Sequence, residues 1–98
     1  MSHDTVGIAV AQFAPSASRE GNLADISDAA RLAASRGARV VVFPEYSSYF
    51  VDPFDSSLAE NAEDLDGPFV QALVALASEL DIVVVAGLIE RADDGRRV

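Results

Sequence analysis

Apolar residues recur along this chain with two periods, one of strands and one of helices. Residues 40–43, Val40-Val41-Val42-Phe43, form a continuous apolar run, β-branched and then aromatic, which reads as a strand covered on both faces. Pro44 ends it, because proline offers no N–H to a neighbouring strand and holds Phe43 extended. Residues 6–12 place small side chains in alternation with Val6, Ile8 and Val10, the pattern of a strand with a helix packed closely on one face. Residues 82–89 are apolar throughout, too continuous for a wet face, and are expected beside the first two strands in a covered sheet.

Between the strands the period changes to that of a helix. Leu23, Ile26, Ala30, Ala33 and Ala34 fall on one stripe, while Asp25, Ser27, Asp28, Arg31 and Ser35 face away. Asn22 is expected as the N-cap, Asp25 in the first turn, and Gly37 as the left-handed residue just past the helix end. Phe69, Ala72, Leu73, Leu76, Ala77 and Leu80 mark a second helix, opened by Asp66-Gly67-Pro68 with proline at the first helical position. Strand, helix, strand with short joints is a βαβ unit, so the first two strands should be parallel. The expected fold class is therefore α/β, with residues 1–98 making one small domain at most, or the N-terminal part of a single larger one.

Composition narrows the partners. Seven Lys plus Arg stand against 16 Asp plus Glu, a net charge of -9, which disfavours nucleic acid and acidic membrane surfaces. The first residues lack a basic leader and precede a strand too short to span a bilayer, so a cytoplasmic location is expected. Cysteine is absent, and every basic side chain is an arginine, which leaves no disulfide, thiolate or lysine chemistry to this stretch. His3, alone near the terminus, is a poor metal ligand.

Glu45 is the residue with the clearest chemical promise. It follows the central strand at the C-terminal edge of the sheet, where sites form in open α/β folds, with Tyr46 and Tyr49 close in sequence. A carboxylate partly desolvated there has the character of a general base. The residues alone equally allow Glu45 to be the first polar residue of a loop. Tyr46 and Tyr49 join an apolar body to a polar tip and are candidates for a pocket wall, whereas Phe54 is expected to pack beneath the loop. Glu90, followed by Arg91 and a tight turn, reads as an ion-pair or surface residue. Gly7 and Gly87 lie outside any glycine-rich strand-to-helix loop and supply no phosphate cradle.

Taken in order, Gln12, Gly21-Asn22, Gly37-Ala38, Val41-Val42-Phe43-Pro44-Glu45, Gly67-Pro68, the 82–87 run and Glu90-Arg91 resemble the N-terminal part of the nitrilase superfamily of carbon-nitrogen hydrolases. The resemblance implies a four-layer α-β-β-α sandwich, here incomplete, that assembles as a homo-oligomer, and a Glu-Lys-Cys mechanism without metal or organic cofactor. It puts Glu45 at the position of the general base and implies a small amide or nitrile substrate, amides being the commoner. The chain departs from that family in lacking the lysine and the cysteine. Both follow this region in the family, so truncation is the expected reason, and the 98 residues alone are expected to be inactive.

Asp93-Asp94-Gly95-Arg96 has the composition of a hairpin turn, with Arg97-Val98 opening a return strand, which also points to a longer protein. Two other readings are open at this point. One is a noncatalytic α/β binding or assembly module; the other, a flavodoxin-like domain, would need an acidic cluster or glycine-rich loop that Glu45 alone does not make.

Overall fold

The structure, a computed structural model, describes residues 6–91. The expected hairpin and return strand at 93–98, and His3, lie outside these residues. Three strands, β1 (Gly7–Val10), β2 (Ala38–Val42) and β3 (Val83–Val85), form one parallel sheet in the order β1-β2-β3. Helix α1 (Arg19–Ser35) connects β1 to β2, and α3 (Pro68–Leu80) leads into β3; the single turn α2 (Ser57–Glu60) lies in the long connection between them. The α/β class and the parallel pairing follow the sequence pattern.

Register explains which side of the sheet is covered. Ala9, Val41 and Val84 pair across the three strands, and all three belong to the cluster that holds Ile26 and Ala30 of α1 with Phe69 and Leu76 of α3. Small residues in β1 let α1 approach closely. The alternate rows, Ile8-Val40-Val83 and Val10-Val42-Val85, occupy the opposite face. On the outer strands this face is open: Ile8 and Val10 are 67 % and 73 % exposed, Val83 and Val85 56 % and 48 %. The expectation that residues 82–89 have no wet face belongs to the whole sandwich, and among the described residues only one face has its cover. A continuous apolar run cannot say which of its two faces a neighbour covers, and here the helices cover one. The strand itself is also shorter than that run, although the chain continues alongside β2 beyond it.

Helix α1 begins earlier than expected. Ser18, extended at φ -110°, is the N-cap, and its hydroxyl accepts from Gly21 N–H at 3.0 Å. Asn22 is therefore inside the first turns rather than at the cap, and Asp25 lies beyond the first turn, where Glu20 stands instead. The helix stops at Arg36, and Gly37 follows at φ +90°, as its sequence position implies. Helix α3 starts with Pro68 after Gly67, which has no side chain with which to cap it. Among the described residues no helix is long and apolar enough to cross a membrane.

Candidate functional site

Glu45 lies just past the C-terminal end of β2, in a turn whose backbone is held from several sides. The ladder continues past the named strands: Ala11 N–H donates to Val42 O at 2.8 Å, Phe43 N–H to Val85 O at 2.8 Å, and Gly87 N–H to Pro44 O at 3.4 Å. Pro44 gives no N–H in return, so the ladder ends there and the chain turns. The Ser47 hydroxyl donates to the same Pro44 carbonyl, and Tyr49 N–H to Tyr46 O at 3.1 Å. Tyr46 has φ 57°, a left-handed conformation that costs a side-chain-bearing residue roughly 1–2 kcal/mol. Edge contacts of its ring with Phe54 at 5.4 Å, and a tilted one with Phe50 at 5.9 Å, help to hold it there.

The Glu45 side chain is exposed, and among the described residues its carboxylate has neither a hydrogen bond nor an ion pair. The partial desolvation expected from the sequence is therefore not provided by Tyr46 and Tyr49 in these residues. The two tyrosines part company. Tyr46 is half-buried in the ring cluster with Phe50 and Phe54, whereas Tyr49 is buried with Leu58, Ala62 and Ile89. Tyr49 can be buried because its hydroxyl has a partner, Ser57 Oγ at 2.8 Å. Ser57 in turn donates its hydroxyl and its amide to Asp55, which holds that carboxyl below its usual range. Phe54, expected beneath the loop, remains 57 % exposed.

A buried polar lattice fastens the loops around Glu45 to one another. Asn22 Oδ1 accepts from Ser16 N–H at 2.9 Å, and its Nδ2 donates to Ser16 O at 2.9 Å and to Ser48 O at 3.2 Å. Phe50 N–H closes on Ser16 O at 2.9 Å, and Ile89 N–H donates to Ser48 Oγ at 3.3 Å. The loop after β1, the loop after β2 and the segment after β3 are thus linked through Asn22 and Ser48, both about 1 % exposed. The role of Asn22 is thus tertiary rather than that of the expected cap, and neither it nor Ser48 was legible in the sequence. The only local signal for Ser48 was a polar pair, Ser47-Ser48, between aromatic residues.

Glu63 also escaped the sequence reading. It is 7 % exposed; its Oε1 accepts from Phe69 N–H at 2.9 Å, and its Oε2 lies 3.5 Å from the Arg19 guanidinium. Its backbone joins residue 89 and residue 91, through Glu63 N–H to Ile89 O and Arg91 N–H to Glu63 O. A carboxylate here satisfies an orphan N–H at the start of α3 and meets the positive end of the helix dipole. Arg91 pairs with Asp64 at 3.5 Å and donates to Ala62 O at 3.1 Å, so the arginine carries the contacts at the end of this segment. Glu90 forms an isolated parallel bridge with Glu63 through the backbone.

Residues 7–98 match the family model described as carbon-nitrogen hydrolase. Two proteins from different strains of Mycobacterium tuberculosis, each named a hydrolase, are 35 % identical over 89 residues, covering 91 % of this chain and 31 % of each relative. The chain thus spans about a third of the length of the curated relatives it matches.

Proposed function

Because the chain belongs to the carbon-nitrogen hydrolase family, we propose that the whole protein is an amidase-type member acting on small amides, with Glu45 as its general base. The observation that carries this reading is the turn at the end of β2, which leaves an exposed carboxylate, unpartnered among the described residues, on a tightly held backbone at the sheet edge where α/β sites form. An exposed carboxylate in these residues leaves room for partners from the rest of the protein. In the proposed reaction a cysteine from outside this stretch attacks the amide carbon. Glu45 takes the thiol proton, which passes on to the departing amine as the thioester forms; Glu45 then deprotonates the water that cleaves the thioester. A lysine, also from outside this stretch, stabilises the oxyanion.

Tyr46 is assigned to the wall of the acyl pocket, presented by the ring cluster with Phe50 and Phe54, and Tyr49 supports that wall from the buried cluster behind it. No metal or organic cofactor takes part in this scheme, and the whole protein is taken to be a cytoplasmic homo-oligomer. With neither cysteine nor lysine, the 98 residues alone turn over no substrate.

The test is Glu45→Gln in the whole protein, assayed against a panel of small amides and nitriles. Loss of a general base lowers the rate by roughly 10²–10⁴-fold. Turnover within a few-fold of the parent removes Glu45 from that role, and a preference for nitriles over amides removes the amidase assignment.

A further inference from the structure

The geometry points to Gly87 as the positioning residue for Glu45, an inference that rests on the reading of Glu45 as the base. A methyl group placed on Gly87 would lie 2.7 Å from Tyr46 N, 2.9 Å from Glu45 Cα and 3.1 Å from Glu45 C. All three are backbone atoms, so no side chain can rotate away to admit it. The clash falls on the residue whose carboxylate has to be placed and on the peptide that follows it.

The surroundings direct the displacement onto the turn. Residues 85–89 run beside residues 43–48 and are tied to them at Val85 O by Phe43 N–H, at Gly87 N–H by Pro44 O, and at Ile89 N–H by Ser48 Oγ, with distances of 2.8, 3.4 and 3.3 Å. Gly87 is the middle of these three ties, and its own segment is held on both sides of it. Opposite stands Tyr46 in the left-handed region at φ 57°, the less favourable conformation of the two segments in contact. An added Cβ therefore pushes Glu45 and Tyr46 outward from β3. A shift of about 1 Å in a catalytic group suffices for a loss on the order of 10²-fold. The smallness of Gly87 serves the close approach of two backbones, the role of a glycine beside a site rather than in a phosphate-binding loop.

Gly7 provides the control. A methyl there would lie 2.8 Å from Gly37 O and 3.2 Å from Ala38 Cα, also a clash with backbone, at the opposite, N-terminal end of β2. The experiment measures kcat and KM of the whole protein on its best amide for Gly87→Ala, Gly7→Ala, Glu45→Gln and the Glu45→Gln/Gly87→Ala double variant. Gly87→Ala is expected to lower kcat by about 10²-fold with KM within a few-fold. Gly7→Ala is expected to lower thermal stability while each folded molecule keeps kcat within a few-fold. The double variant is expected to be no slower than Glu45→Gln, since a misplaced carboxylate matters only while the carboxylate is present.

Near-normal kcat for Gly87→Ala, with Glu45→Gln inactive, overturns the positioning role and leaves the base assignment standing. An active Glu45→Gln overturns the base assignment, and the positioning role with it. Should Gly87→Ala fail to fold, Tyr46→Gly relaxes the turn, and kcat is compared between Tyr46→Gly and Tyr46→Gly/Gly87→Ala. At least a 10-fold lower kcat in the latter supports the role, and equal values overturn it.

Discussion

Asn22 in α1 and Ser48 in the loop after β2 are joined by a buried hydrogen bond, Nδ2 to carbonyl oxygen at 3.2 Å, across 26 residues of sequence. The same Nδ2 also donates to Ser16 O, and Oδ1 accepts from Ser16 N–H and from the Ser16 hydroxyl, so one amide fills a slot with two acceptors and two donors. A carboxylate of the same shape presents oxygen to both carbonyls. Asn22→Asp is therefore expected to destabilise the whole protein as much as Asn22→Ala, by ~1–3 kcal/mol for each polar group left unpaired. Denaturant unfolding of the two variants is the measurement, and an unchanged midpoint for Asn22→Asp would show that the slot is not built from carbonyls.

Glu63 is expected to stabilise α3 from outside the helix. Glu63→Ala leaves the Phe69 N–H without its acceptor in a buried setting, a loss of ~1–3 kcal/mol, whereas Glu63→Gln retains an oxygen and loses less. Amide hydrogen exchange at Phe69 is the local readout. Equal protection in the parent and in Glu63→Ala would remove the capping role.

Arg31 of α1 and Glu79 of α3 form a half-exposed ion pair that bridges the two helices. The hydrogen bond from Arg31, and then its charge, hold Glu79 below its ordinary value of 4.5. A carboxyl lowered in the folded state stabilises above its unfolded value, and that stabilisation is lost as pH falls through the lowered folded value. The Tm difference between the parent and Glu79→Gln is thus expected to be present near pH 7, to shrink as pH falls below 4.5 and to vanish once it is below the lowered folded value, and to shrink in high salt because the pair is solvent-screened. A Tm difference that persists unchanged into acid would point to packing rather than charge.

The open sheet face gives a prediction for the 98 residues taken alone. Ile8 and Val10 on one side of Val40 and Val42, and Val83 and Val85 on the other, expose an aliphatic sheet face, which is expected to make the isolated chain self-associate or bind a hydrophobic dye. Ile8→Thr with Val83→Thr keeps β-branched residues in the strands and should reduce that association in the isolated chain, while destabilising the whole protein if another layer covers the face there. A monomeric isolated chain with a sharp, reversible thermal transition and no dye binding would contradict this account.

The local grammar of the chain was legible from its residues. The run ending at Phe43-Pro44 places Glu45 at a strand end, because proline stops a ladder wherever the chain lies. The stripes through Ile26 and Ala30 and through Phe69 and Leu76 mark the faces that meet the sheet, because a helix has one apolar side to bury. Gly37 past α1 and Pro68 opening α3 follow from backbone preferences that need no partner.

What required the tertiary structure was everything decided by neighbours distant in sequence. A valine run in β3 has the same composition whichever face a helix covers, and only the position of the helices showed which row they bury. Asn22 looked like a cap because asparagine caps helices, but Ser18 does so and the Asn22 side chain is claimed by Ser16 and Ser48. Glu63 reaches the Phe69 N–H at the start of α3 from beyond the usual cap positions, and Gly87 is small because Glu45 and Tyr46 pass within van der Waals distance of it. Periodicity reports what each element must bury; which atoms fill the space is settled only when the elements pack.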